Sequence, residues 1–187
     1  MINDLIKRKL LRVNLCVASF IRVNFFRLFP YVTIGKKTLI EKNVKINVLY
    51  GGAIKIGNNC ELRNGCQLLT YGGDIEIGDN SSINPYTVVY GQGNIKIGNY
   101  VRIAAHCVLI PSNHSCSDRS KPIYLQPLVK KGIVIEDDVW IGCGVRILDG
   151  VVIARGCVIG AGSVVNKSTE PYGIYVGVPA KKIKVRV

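Results

Sequence analysis

Residues 135–165 read Ile135-Glu-Asp-Asp-Val-Trp, Ile141-Gly-Cys-Gly-Val-Arg, Ile147-Leu-Asp-Gly-Val-Val, Ile153-Ala-Arg-Gly-Cys-Val, Ile159-Gly-Ala-Gly-Ser-Val, then Val165. An aliphatic residue opens every unit of six. A period of six fits neither a helix at 3.6 nor a simple strand at 2. It is the mark of a parallel β-helix built from hexapeptide rungs. The same period runs upstream through Ile34, Ile40, Ile46, then Ile56, Leu62, Leu68, then Ile77, Ile83, Val89, then Ile97, Ile103, Leu109. Three rungs make one triangular coil of eighteen residues. The upstream coils open at spacings of 22, 21 and 20, so each carries a short excursion. Gly51-Gly52, Gly72-Gly73 and Gly91-Gln92-Gly93 fall in those excursions, where positive φ is needed. Ile-Gly pairs at 34–35, 56–57, 77–78 and 97–98 sit on the first rung. Those at 141–142 and 159–160 sit on the second. Spacing alone gives no reason for that shift.

No single coil can close a core. Stacked coils bury one aliphatic column, and the two ends of the stack expose strand edges that need caps. The expected organisation is all-β. It has a basic amphipathic helical segment over 1–30, the β-helix over 31–170 with an excursion at 111–132, and a basic C-terminal cap over 171–187.

The bulk numbers agree with one folded domain: 187 residues, 48% hydrophobic, and only 7% aromatic, as a narrow aliphatic stack requires. The formal charge of +13 favours anionic partners. No aromatic-interleaved basic stripe or DNA-binding motif is present, so nucleic acid is not expected. The seven Cys are odd in number and irregularly spaced, which argues against a disulfide framework. Cys60, Cys66, Cys107 and Cys157 fall where other rungs carry Ser, Thr or Val, as at Ser81, Thr87 and Val145. They read as small buried fillers in a reducing compartment. No CxxC pair suggests zinc, and no metal is expected.

The first thirty residues hold Lys7, Arg8, Lys9, Arg12, Arg22 and Arg27 against Asp4 alone. Arg12 and Arg22 break any long apolar run, so neither a membrane span nor a signal peptide fits. A basic amphipathic helix fits an anionic membrane surface. It fits equally a helix packed on the β-helix or on a neighbouring subunit.

The rungs, together with Val139-Trp140-Ile141-Gly142, with Val158-Ile159-Gly160-Ala161-Gly162-Ser163-Val164-Val165 and with Val176-Gly177-Val178-Pro179-Ala180-Lys181, resemble the hexapeptide-repeat acyltransferases over residues 30–187. The likeness is to the maltose/galactoside and polysaccharide O-acetyltransferase branch. It implies a left-handed parallel β-helix, a homotrimer, and acetyl-CoA as co-substrate in clefts between subunits, with no permanently bound cofactor.

The repeat breaks once, between Leu109 and Ile135, and a loop that long in a compact repeat is usually functional. It holds His114. An alcohol is a poor nucleophile until its proton is leaving, and imidazole is a base suited to neutral pH. The resemblance assigns that role to His114. It also places Asn84 on the acceptor. Stacking of Ile83 and Ile103 suggests that Asn84 reaches the cleft of the loop. Asp118 is a candidate to orient His114, and Arg119 or Lys121 a candidate to hold an acidic acceptor. For the donor, the resemblance points to backbone groups at Cys143 and Ala161, to Asn166-Lys167, and to Lys181 and Lys184 for the phosphates. Gly142 is a further candidate there, and Trp140 either flanks the same channel or simply packs at a corner. Asn166 stands where the family often has Thr, and the two Lys where it often has Arg. Lys offers phosphate a point charge rather than a fork. His106 lies within a rung and reads as a packed or surface residue, and Cys116 as a loop thiol rather than an acyl carrier.

These readings give a cytoplasmic saccharide O-acetyltransferase of surface-polysaccharide or glycan synthesis, placed near membrane-bound intermediates by its N-terminal helix. The alternatives are a sugar N-acetyltransferase with the same donor and a non-enzymatic membrane-associated scaffold. A serine acetyltransferase usually has a helical N-terminal domain larger than thirty residues supply. A β-helical carbonic anhydrase needs three His on one zinc, and this chain has two.

Overall fold

A computed structural model describes residues 2–187, with side chains from Val13 onward. Lys7, Arg8, Lys9 and Arg12 therefore lie outside the described side chains. One helix, α1 (Ile2–Arg27), precedes a parallel β-helix with three faces. The first and third sheets have six strands each and the second has eight.

The hexad registers come out in three unbroken columns. On the first sheet Ile34 pairs with Ile56, then Ile77, Ile97, Ile135 and Ile153 follow. On the second the column runs Ile40, Leu62, Ile83, Ile103, Ile141, Ile159. On the third it runs Ile46, Leu68, Val89, Leu109, Ile147, Val165. Every one is buried except Ile46, which is half-buried. The exception has a cause: α1 packs on strands Val32–Ile34 and Leu39–Ile40, which leaves strand Lys45–Asn47 at the uncovered edge of the third sheet.

The helix satisfies the first coil's edge through side chains. Ser19 Oγ accepts the Ile40 N–H at 2.7 Å, and Arg22 donates to the Ile40 carbonyl at 3.2 Å. Arg27 donates to the carbonyls of Ile34 at 2.8 Å and Gly35 at 3.0 Å. Two of the basic residues thus cap backbone acceptors rather than remaining free. Leu15, Phe20, Ile21 and Phe25 of α1 are exposed.

At the other end, the segment after Pro171 is more than a cap. Strand Gly173–Val176 adds a further parallel rung, with Tyr175 continuing the second column beside Ile159. Strand Lys181–Val185 then folds back antiparallel and closes that sheet. Lys182 pairs with Glu170, and Arg186 with Asp138 at 2.9 Å.

Glycine marks the corners where coils approach most closely. At the corner after the first sheet, Asn and Asp side chains form a ladder. Asn58 Oδ1 accepts the Lys36 N–H, Asp79 Oδ1 that of Asn58, Asn99 Oδ1 that of Asp79, and Asp137 Oδ1 that of Asn99. A Cβ at Gly78 would lie 2.7 Å from Asn99 Oδ1 and from the Gly98 backbone. In the last coils the tight approach moves one corner on, where a Cβ at Gly142 would sit 2.6 Å from Ala161 N. This accounts for the shift of the Ile-Gly pairs from the first rung to the second.

The buried cysteines do more than fill space. Cys60 Sγ donates to the Gly78 carbonyl at 3.1 Å and Cys107 Sγ to that of Gly142 at 3.1 Å. Ser81 and Thr87 make the same contact to Gly98 and Ala104. Cys, Ser and Thr share the position because each is small and offers one donor to the next coil. All seven thiols are free, and burial pushes that of Cys66 up to about 12, which keeps it protonated and inert.

Candidate active site

The excursion is built around a short ladder. Strand Asn113–His114 pairs antiparallel with Leu128–Val129, so His114 faces Leu128, and the Ser115 N–H donates to Pro127 at 3.0 Å. His114 is exposed and, among the described residues, its imidazole has no hydrogen-bond partner. It lines a cavity of about 360 Å³ with Tyr71, Tyr90, Gln92, Ser112 and Leu128. Ser112 donates to Gln92 Oε1 at 3.0 Å, leaving the Gln92 amide nitrogen available as a donor.

Two residues with no signal in the sequence hold the loop in shape. Gln126 is buried and uses both ends of its amide. Nε2 donates to the carbonyls of Asp118 at 2.8 Å and Lys121 at 3.0 Å, while Oε1 accepts the Asp118 N–H at 3.1 Å. Asp149 pins the return, accepting the N–H groups of Lys131 at 2.8 Å and Gly132 at 2.9 Å. Gln126→Leu removes all three loop contacts of the amide, each worth ~0.5–1.5 kcal/mol net. Tryptic cleavage after Arg119 is expected to speed up by about tenfold or more, because proteolysis follows the open population. Digestion time courses read by mass spectrometry check this. An unchanged rate at that site would mean that Gln126 is not the pin.

Asp118 does not orient His114. Its carboxylate accepts the Ser120 hydroxyl at 2.6 Å and the Ser120 N–H at 2.9 Å, and pairs with Lys121 at 3.2 Å. Those Ser120 bonds, with Lys121 beside them, hold its pKa below the usual range. A short polar side chain closes its own turn before reaching a residue four positions back. Lys121 is thereby occupied, while Arg119 stays exposed.

Asn84 also stands elsewhere than expected. It follows strand Ser82–Ile83 at the corner between the second and third sheets, and its amide donates to the Ile103 carbonyl at 2.7 Å. His114 leaves the far edge of the third sheet, so the two do not come together within the chain. Stacking aligned Ile83 with Ile103 as expected, but put them one corner away from the loop. His106 sits on Asn84's corner, exposed, with its ring stacked on Tyr86 at 5.3 Å.

The donor candidates gather on the second sheet and its corner. Trp140 points outward between Arg102 and Val158, more than half exposed. Cys143 and Ala161 are exposed at successive coils of that corner. Their N–H groups meet no backbone acceptor among the described residues, unlike the neighbouring Gly142 and Gly162. Gly142 is buried against Ala161 and makes the close approach possible. Asn166 and Lys167 are exposed just after strand Val164–Val165. The Gly177–Ala180 turn is stapled to that strand: Gly177 N donates to Ser163 Oγ at 3.0 Å and Ala180 N to the Val164 carbonyl at 2.8 Å. Lys181 and Lys184 follow it, both exposed. The result is a row of unpaired N–H donors with free cations beyond its end, a surface suited to an amide-containing chain that terminates in phosphates.

Comparison with known proteins agrees with this geometry. The family model described as bacterial transferase hexapeptide (six repeats) matches residues 132–167. The chain is 32% identical to "Probable acetyltransferase Rv3034c" of Mycobacterium tuberculosis, over 83% of this chain and half the length of that protein. It is 33% identical to "Putative lipopolysaccharide biosynthesis O-acetyl transferase WbbJ" of Escherichia coli K12, covering 71% of this chain and 72% of WbbJ. Among solved structures, it resembles AntD, an N-acyltransferase from Bacillus cereus in complex with dTDP and 3-hydroxybutyryl-CoA. The TM-score is 0.72 at 30% identity, with 83% of each chain covered.

Proposed function

Because the chain belongs to the bacterial hexapeptide-repeat transferases and is an acyltransferase, we propose that it moves an acetyl group from acetyl-CoA to a saccharide hydroxyl. The observation that carries this reading is His114: an exposed imidazole with no hydrogen-bond partner among the described residues, on the wall of a cavity of about 360 Å³. It takes the proton of the acceptor hydroxyl as the oxygen attacks the thioester carbonyl. A backbone N–H stabilises the tetrahedral oxyanion. The C–S bond then breaks, CoA leaves as its thiol with the proton returned from His114, and the acetyl ester remains on the sugar.

The donor lies along the Cys143 and Ala161 N–H groups, past Trp140, with its phosphates toward Lys167, Lys181 and Lys184. That row and His114 occupy different corners of one protomer. The active unit is therefore proposed to be a homotrimer, with the donor surface and Asn84 of one copy facing the loop of the next. Closed rotational symmetry makes every such site equivalent. The exposed apolar face of α1 is proposed to rest on an anionic membrane surface from the cytoplasmic side, where the charge of +13 assists. Among the described residues no helix is long and apolar enough to cross a membrane.

The likeness to AntD supports a second reading, acylation of a sugar amine. CoA thiol release with sugars, nucleotide-linked sugars and amino sugars separates the two, with the product's base lability distinguishing ester from amide. Lys181→Ala tests the donor side in the same assay. Its acetyl-CoA KM is expected to rise by about fivefold to thirtyfold, the loss of one charge-assisted phosphate contact, with kcat little changed. An unchanged KM removes Lys181 from the donor site. Absence of thiol release with every acceptor, together with absence of CoA binding, favours the scaffold reading.

A further inference from the structure

Tyr50, Tyr71 and Tyr90 form one aromatic stack where the third sheet turns back toward the first. The ring centroids of Tyr50 and Tyr71 lie 6.4 Å apart at 20°, and those of Tyr71 and Tyr90 lie 5.7 Å apart at 32°. Each ring comes from a successive coil: Tyr90 ends strand Val88–Tyr90, Tyr71 follows Gln67–Leu69, and Tyr50 follows Lys45–Asn47. The stack therefore runs along the prism axis for two coil spacings, roughly 10 Å. One end opens into the cavity of His114, which Tyr71 and Tyr90 line. The other end, Tyr50, lies outside that cavity and is 81% exposed.

These positions are costly places for aromatics. Tyr50 and Tyr71 have φ of 66° and 45°, the left-handed region where Gly or Asn is less strained. Tyr86 and His106 also stack on another corner, so stacking alone is a habit of these coils. What sets Tyr50, Tyr71 and Tyr90 apart is that their rings lead out of the candidate active site.

We infer that this stack is an acceptor subsite that holds sugar rings adjoining the one acylated, so that the substrate is an oligosaccharide or glycan chain. The inference rests on the saccharide reading of the acceptor. Within the stack the inner faces cover one another, which leaves the outer face of exposed Tyr50 free. A pyranose offers an apolar C–H face that lies on such a ring, while its hydroxyls project from the rim. Gln92 and Ser112 stand beside Tyr71 and Tyr90 to meet them. A nucleobase also stacks on aromatics, but it brings phosphates, and no Lys or Arg lines the cavity. The chemistry at this end of the site fits a neutral sugar chain better than a nucleotide.

The test is binding, without acetyl-CoA, to a printed panel of neutral hexose and N-acetylhexosamine series at one, three and six sugars, with nucleotide sugars beside them. Wild type, Tyr50→Ala and Tyr50→Phe are compared. Tyr50 makes no side-chain hydrogen bond among the described residues and is mostly exposed, so its replacement leaves the fold intact. In at least one series, wild type is expected to bind the trisaccharide more tightly than the monosaccharide. Tyr50→Ala should weaken the trisaccharide by about tenfold, in line with the loss of one stacking face, and leave the monosaccharide unchanged. Tyr50→Phe should retain the wild-type pattern. Equal binding at every length, the same pattern in Tyr50→Ala, binding confined to nucleotide sugars, or no glycan binding would each overturn the subsite. Length-dependent binding without acetyl transfer would sink the proposed reaction and leave the subsite standing. Transfer to sugars with no length dependence would do the reverse.

Discussion

His114→Ala is expected to lower acetyl-transfer kcat by ~10²–10⁴ while leaving the thermal midpoint and the acetyl-CoA KM close to wild type. The fold is spared because the ring is exposed and makes no side-chain hydrogen bond among the described residues. The chemistry is not spared, because Asp118 is committed to Ser120 and Lys121, and no other imidazole stands in that cavity. His106, the other histidine, lies on a different corner against Tyr86, so His106→Ala serves as the control. Stopped assays of CoA thiol release, with circular dichroism melts of the same preparations, give both readings. Turnover within a few-fold of wild type in His114→Ala would remove the general-base role. Equal losses in both histidine variants would point to a general effect on structure.

Ile103→Ala is expected to cost ~2–5 kcal/mol of unfolding free energy in urea. Ile103 is fully buried and is flanked in register by Ile83 and Ile141. A cavity at the middle of a stack weakens the interfaces with both neighbouring coils, and stability in such repeats is a sum of coil and interface contributions. Ile46→Ala is the comparison. It has the same residue type and the same place in the hexad, but sits half-buried on the uncovered strand Lys45–Asn47. Its cost should be well under half as large, because transfer free energy scales with the area removed from water. Equal costs at the two positions would mean that the open edge at Ile46 is covered by a partner in solution.

The sequence showed the site unevenly. His114 was legible because it lies in the single interruption of a strict period. Trp140, Cys143 and Ala161 became candidates only through the resemblance to the hexapeptide-repeat acyltransferases. Gln126 was not, because an amide bridging two carbonyls across an irregular loop leaves no periodic trace. Asp149 was hidden differently: it occupies an ordinary rung position, and its backbone partners are seventeen and eighteen residues upstream. Asn84 and Asp118 do not meet His114 within one chain, for related reasons. Both were judged by distance along the chain or along a column, and neither measure says which corner of a triangle a side chain occupies.

What the sequence determined by itself was everything that depends on period. A residue that must point inward every sixth step declares itself without a partner, so the eighteen aliphatics and the position of the break were specified, while the added rung at Tyr175 was not. Tertiary structure alone decided what lies next to what across coils. The excursions between the third and first sheets put Tyr50, Tyr71 and Tyr90 on one corner, and stacking of the coils brings their rings together. The three-sided stack also puts the donor row and His114 on separate corners. Contacts between residues about twenty positions apart depend on the summed geometry of every turn between them, and no local pattern in the chain records that sum.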